Sequence, residues 1–338
     1  MKKQYDCVDA TKLLLSLFIV AIHADLFGSA LFPTLRLAVP VFFIFTGFFA
    51  FSRIDAAAPA DRKKALWRIE KRYLQLYLFW FVVLLPITVY VRKYYAYRFP
   101  SLVLVFAKHL LWSSTFPTSW YLMACILGVA AVYLLSKANQ AVTLCIGILT
   151  YFLTTCVSKY ASLIADNSFL YALYSKLSLV VGNPSSNVFV ALIYIVLGRN
   201  IAAQKFKLPP KKHCFLGFIL CYFGLLLEFA CAKNQPWFSY RCDCWFMLAP
   251  TALFFVLSIL SLDIKIPHAP VIRSMSTIIY CSHMPIMMVA SEVFSICNIA
   301  DPQNTLLFSI GLVGPCLLSF VLLSLEKHRK LKFLKYSH

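Results

Sequence analysis

The feature that most limits the fold is a recurring apolar run of about 20 residues, the length at which an α-helix crosses a ~30 Å hydrocarbon core. Ten such runs are read along the chain, at roughly 11–31, 34–52, 73–91, 118–136, 141–158, 187–203, 213–232, 244–261, 275–297 and 305–325. They explain why 61% of the 338 residues are hydrophobic and why mean hydropathy is +0.77, above what a soluble domain carries. Helices satisfy their backbone hydrogen bonds internally, and the even alternation of a membrane barrel strand is missing. The expected fold class is all-α, a polytopic integral membrane bundle of about ten transmembrane helices.

The formal charge of +19 comes from 32 Lys and Arg against 13 Asp and Glu. These basic residues lie between the apolar runs, so they point to topology and to anionic lipids, not to nucleic acid. With the N-terminus inside, about 22 basic residues fall on the cytoplasmic side and about 9 outside, leaving Lys12 within a span. Both termini are expected in the cytoplasm, with a membrane domain over 1–325 and a basic tail over 326–338. The first run follows Lys2 and Lys3 as a signal peptide would. It is longer than the usual apolar region and no small-residue cleavage site closes it, so it reads as a retained helix.

Most of the 12 cysteines, among them Cys125, Cys145, Cys221, Cys281 and Cys316, fall inside spans, where they pack as small apolar groups rather than form a disulfide framework. Cys231, Cys242 and Cys244 lie near the outer face without histidines nearby, so no metal site is expected. Phosphate-binding loops, dinucleotide fingerprints and hydrolase elbows are absent from the sequence.

Ionisable groups within a bilayer are costly, which makes them functional candidates. The stretch "DATKLLLSLFIVAIHADLFG", residues 9–28, has Asp9 and Lys12 at its start and His23 inside it. Lys12 and His23 share a helical face and are separated by about 16 Å along the axis. That places the lysine near the inner mouth and the imidazole near mid-membrane. Asp9, three residues before Lys12, can neutralise it and is grouped with His23 as the catalytic set. In "DRKKALWRIEKRYLQLYLFW", residues 61–80, Lys64, Arg68 and Arg72 form a cationic stripe leading into the third span. Lys63 and Lys64 read as topological, whereas Arg68 and Arg72 are candidates for clamping phosphates.

Further polar groups surround this pattern. His283 with Tyr280 lies early in the ninth span, where it could orient an acceptor, relay a proton, or cap carbonyls freed by Pro285. Trp120 and Tyr121 open the fourth span as an aromatic belt or a sugar-stacking platform. Glu228 and Asp243, near the outer end, suit hydrogen bonds to an acceptor, or ion pairs with Lys233 or Arg241. Thr46 and Gly47 suit close helix approach. His109, His213, His268, His328 and His338 read as interfacial or exposed and carry no role.

Taken together, these motifs resemble the membrane-bound acyltransferase family 3. The matching residues are "DATK" and "IHA" in the first span, "VPVFFIFTGFF" at 39–49, "KRYLQLYLFW" at 71–80, "SWYL" at 119–122, "NVFVALIYIVLG" at 187–198 and "STIIYCSHMPIM" at 276–287. Within the family the chain is most similar to the subgroup containing the membrane part of vancomycin-resistance serine racemases. Two departures stand out: Lys12 occupies the place of the usual arginine, without its bidentate fork, and Gln75 stands where a second arginine is frequent.

The resemblance implies an acyltransferase of a bacterial cytoplasmic membrane that moves an acyl group, acetyl by family habit, from acyl-CoA to a hydroxyl of an envelope glycan or lipid-linked sugar. His23 would act as general base, or be acylated transiently. Lys12, Arg68 and Arg72 would bind the CoA phosphates, and His283, Trp120, Tyr121, Glu228 and Asp243 the acceptor. The competing readings are a secondary transporter, for which no inverted repeat or pair of broken spans is visible, and a non-catalytic anchor or sensor.

Overall fold

The structure, a computed structural model, describes residues 5–26, 31–112, 114–116, 118–137, 139–160, 182–203, 209–235, 244–301 and 304–338. Phe169, Tyr171, Ala172, Ser175 and Lys176 are described as well. These residues form thirteen α-helices: α1 (Asp6–Ala24), α2 (Phe32–Leu35), α3 (Ala38–Ile54), α4 (Arg62–Val83), α5 (Leu85–Arg92), α6 (Ser101–Leu111), α7 (Trp120–Leu135), α8 (Gln140–Ser158), α9 (Val188–Ala202), α10 (Lys211–Ala232), α11 (Leu248–Leu260), α12 (Ala269–Ile296) and α13 (Thr305–Leu325). A 3-10 segment over Arg329–Ser337 follows. The protein is a multi-pass all-α membrane bundle.

Six helical units, α1, α2 with α3, α8, α10, α12 and α13, are long and apolar enough to cross a bilayer, and α4 with α5 adds a seventh as a broken span. The remaining three of the ten expected runs form α7, α9 and α11, of 16, 15 and 13 residues. At 1.5 Å per residue each covers only about 20–24 Å. These shorter helices are sheltered by protein. In α9 every residue from Val190 to Ile201 except Arg199 is buried, against α3, α7 and α8. Its first turn is closed by the Asn187 side chain, which accepts from the Phe189 N–H at 2.9 Å.

Two boundaries differ from the sequence expectation. The third apolar run, expected as one span over 73–91, breaks after Val83 and turns by 74° into α5. Pro86 opens α5 without an N–H to continue the α4 ladder. The first helix ends at Ala24 rather than near residue 31. Asp25 adopts φ 53°, and the Asp25 and Leu26 N–H groups fold back onto the Ile22 and Ala21 carbonyls, a left-handed cap that stops the helix. His23 therefore lies in the last turn of α1.

The tightest helix pair is α3 with α9. A Cβ on Gly47 would lie 2.3 Å from the Ile195 carbonyl oxygen, and one on Gly198 would lie 2.1 Å from that of Ile44. Both glycines let two backbones touch, the small-residue packing that holds helices together in lipid. Gly198→Ala must push these backbones apart. We expect it to destabilise the detergent-solubilised protein by about 1–3 kcal/mol, read as a lowered thermal midpoint; an unchanged midpoint would contradict the contact.

Candidate active site

The helices α1 and α12 pack side by side in the same direction, and their shared seam carries three polar contacts in order. At the inner end the Arg273 guanidinium grips Asp9 with both prongs, Nε to Oδ1 at 2.8 Å and the terminal nitrogen to Oδ2 at 2.6 Å. Next, the hydroxyls of Ser16 and Ser276 lie 2.9 Å apart. Beyond them the His23 and His283 rings face each other, centroids 5.2 Å apart. The register follows from spacing: Asp9, Ser16 and His23 recur every seven residues, as do Ser276 and His283. Seven residues at about 100° each fall about 20° short of two turns, so each set stays on one face.

The two histidines differ in state. His283 is fully buried, and its Nδ1 lies 3.0 Å from the Ile279 carbonyl oxygen. A carbonyl only accepts, so Nδ1 carries the proton and Nε2 presents a lone pair. That Nε2 is buried with no hydrogen-bond partner. The bond to Ile279 also shows that His283 does not cap the carbonyl that Pro285 frees at Cys281. His23 keeps an exposed edge at the point where α1 stops. Arg36, just before α3, lies within electrostatic range of His23. Position along α12 puts His283 about 21 Å from the first residue of that helix and about 20 Å from its last, halfway along it, opposite the end of α1.

A wall of aromatic and hydroxyl side chains joins this pair to the inner mouth. On α3, Phe42, Phe45, Thr46 and Phe49 follow helical spacing and face one way. The Lys12 ammonium lies over the rings of Phe49 and Phe45, at 5.0 and 5.9 Å from their centroids. Thr46 lies 3.2 Å from the Tyr121 hydroxyl and 3.5 Å from that of Tyr73. Tyr121 packs on Tyr280 with centroids 5.2 Å apart, and Tyr280 on His283 at 6.2 Å. The Tyr280 hydroxyl donates to the Thr118 carbonyl at 2.7 Å.

At the inner end a cavity of about 370 Å³ is lined by Arg72, Gln75, Arg273, Ser274, Lys335 and His338, among others. Arg68, one turn before Arg72, is exposed and does not line it. His338, expected to be an exposed tail residue, instead turns into this mouth. Burial holds its imidazole below the ordinary pKa, against the pull of Glu326 and with Arg72 adding to the effect.

The structure thus brings His23 and His283 together, links Tyr121 to them through Tyr280, places Arg72 on the cavity wall, and sets Lys12 over Phe45 and Phe49 without lining that cavity. Asp9 is not beside His23. Fourteen residues separate them, about 21 Å along α1, and its carboxylate is held by Arg273. Glu228 is also elsewhere. Its two oxygens accept from the Phe246 and Met247 N–H groups at the start of α11, both at 2.8 Å, and one accepts from the Tyr160 hydroxyl at 2.7 Å. An anchor with every oxygen in use is poorly placed to bind an acceptor. Trp120 packs on Phe43, centroids 6.1 Å apart, one residue away from the inner wall. Asp243, Cys242 and Arg241 lie outside the described residues. The described cysteines are free thiols, and no group of His, Cys, Asp and Glu among the described residues is arranged to hold a metal. Sequence reasoning missed Ser16, Ser276, Arg36 and the mouth role of Arg273. The heptad spacing of serine and histidine was the available signal for the first two.

Compared with known families, residues 5–324 match the family described as Acyltransferase domain. Among curated proteins the chain is similar to an amino-acid racemase of Enterococcus faecalis, 26% identical over 228 residues, which cover 65% of this chain and 31% of that protein. The matched stretch thus spans about a third of that relative's length. No solved structure matches.

The seam makes a quantitative statement about coupling. Ser16→Val and Ser276→Val should each cost about 1 kcal/mol of stability in detergent. The double variant should cost much less than their sum, because both remove one shared hydrogen bond. Additive losses in a thermal-melt cycle would mean that the two hydroxyls do not pair.

Proposed function

The chain belongs to the Acyltransferase domain family, matched over residues 5–324, and from that premise we propose that it transfers an acyl group, acetyl by preference, from cytoplasmic acyl-CoA to a hydroxyl. The acceptor we favour is a cell-envelope glycan or lipid-linked sugar at a bacterial plasma membrane. The observation that carries this reading is the His23–His283 pair. Two imidazoles, one with a free buried lone pair and one with an open edge, lie at one end of a wall whose other end is cationic.

Each step then has a residue. The nucleotide phosphates rest at the mouth near Arg72 and Lys12, where fixed positive charge favours them. The pantetheine arm follows the Phe49, Phe45 and Phe42 side of α3, an apolar surface suited to its chain. This brings the thioester to the histidine pair, a depth reached from the inside along the length of α1. The acceptor approaches from the outer side, where α1 stops at Ala24 and the His23 edge is open.

His23 removes the hydroxyl proton as the oxygen attacks the thioester carbonyl carbon. The carbon–sulfur bond breaks as the tetrahedral intermediate collapses, and the proton passes from the imidazolium to the departing CoA thiolate. Two imidazolium rings this close in an apolar setting would repel, so His283 stays neutral while His23 carries the transferred proton. His283 can accept from a neighbouring hydroxyl of the acceptor through its open Nε2, and Tyr121 and Tyr280 shape the pocket. Arg36 is the cation positioned to face a developing oxyanion near His23. Asp9 acts at a distance, by fixing Arg273 and the inner end of the seam.

Membranes bearing the protein should incorporate label from radiolabelled acetyl-CoA into an envelope fraction. His23→Ala should reduce incorporation at least about 100-fold with the thermal midpoint preserved, the usual worth of a general base. His283→Ala should cause a comparable loss, whereas Asp9→Asn should act chiefly on the apparent affinity for acetyl-CoA. Labelling that survives loss of both histidines would refute the assignment.

A further inference from the structure

The segment after α13 does not trail away from the bundle. It folds back against α4, where the Trp80 indole N–H donates to the Ser337 carbonyl at 3.0 Å. Leu334 and Ser337 are buried, and the His338 Nε2 lies 3.5 Å from Glu326. A lysine-rich 3-10 segment held this way is a built surface, because the burial of Leu334 and the indole bond fix where its cations stand. Its place is the inner mouth: Lys335 and His338 line the same 370 Å³ cavity as Arg72 and Arg273.

The cavity carries the basic side chains of Arg72, Arg273 and Lys335. None of its lining residues is acidic. Asp9 is held by Arg273, and Glu326 lies 3.5 Å from the His338 ring. Arg72 and Lys335 are exposed, and neither appears among the ion pairs of the described residues. Three permanent cations around a concavity of this size, one of them neutralised, call for an anion with more than one charge. Gln75 and Ser274 add neutral hydrogen-bonding groups to the wall. A phosphate ester meets these demands: it is multiply charged, accepts several hydrogen bonds and fits the fork of an arginine.

We propose that the folded-back segment 329–338 completes a phosphate-ester site at the inner mouth, with Lys335 as a direct ligand to the nucleotide phosphates of the acyl donor and Trp80 as the residue that positions the segment. The inference rests on the acyl-CoA reading above and deepens it. The donor site is built from three separate parts of the chain, α4, the start of α12 and the tail, so its cationic wall exists only once the C-terminal segment has docked. The tail is then a part of the donor site and not merely a topological charge cluster.

The test uses the full chain in phosphatidylcholine nanodiscs, titrated calorimetrically with CoA and with adenosine 3′,5′-bisphosphate. Both should bind the wild-type protein, more weakly as salt is raised. Lys335→Gln, an exposed substitution that leaves packing alone, should weaken both about tenfold, the loss of one charge-assisted contact. Trp80→Phe, which keeps the ring and removes the N–H, should weaken both by a smaller factor. A repeat in nanodiscs containing phosphatidylglycerol separates the two sources of a phosphate ester. If Lys335→Gln weakens only lipid association and leaves CoA affinity unchanged, the cavity takes headgroups and the proposal is overturned. CoA binding that is indifferent to both substitutions also overturns it, while leaving the acyl-CoA reading intact. Failure of the wild-type protein to bind CoA at all would overturn both.

Discussion

Everything in this structure that bears on chemistry hangs on the seam between α1 and α12. Placing an arginine–aspartate pair, two serines and two histidines in lipid-embedded protein is unfavourable unless each group finds its partner on the neighbouring helix. The bidentate Arg273–Asp9 contact and the Ser16–Ser276 contact fix rotation and register. Once those are fixed, His23 and His283 have no choice but to face each other. The facing of the two imidazoles is thus a consequence of helix pairing, not of a flexible loop.

Around that seam the bundle solves a second problem, which is to hold short helices inside a membrane protein. The helix α9 is too short to span alone, yet it makes the closest backbone contact in the fold through Gly47 and Gly198. This contact locks α3, the helix that carries the aromatic wall from Lys12 toward Tyr121. Rigid packing on one side of α3 keeps the wall on its other side in place. The early stop of α1 has the opposite effect, leaving the His23 edge open.

The sequence carried the fold class, the family and the pairing of charge at one end with imidazole at the other. Apolar run length and the basic bias of inner loops are strong signals because both arise from the bilayer itself. Helix ends were less legible. Pro86 was visible, but whether it kinks a span or breaks it by 74° depends on what packs against it. The left-handed Asp25 cap had no glycine to announce it. Within the site, His23, His283, Lys12 and Arg72 stood out because charge in an apolar run is conspicuous. Glu228 stood out for the same reason and proved to hold the start of α11, since a lone sequence cannot show which backbone N–H groups lie opposite a carboxylate. The fold-back of residues 329–338 was hidden because Leu334 and Trp80 lie far apart in sequence, and only the tertiary structure brings the tail to α4.

The central claim is that the thioester reaches the histidine pair from the cationic mouth. An experimental structure of the protein in nanodiscs with a non-hydrolysable acetyl-CoA analogue tests it directly. The account places the phosphates at the mouth beside Arg72 and Lys335 and the acyl carbonyl carbon at about 3–4 Å from an imidazole nitrogen of His23 or His283, near-attack range. An analogue whose acyl end lies away from both rings, or whose phosphates occupy another face of the bundle, would contradict it.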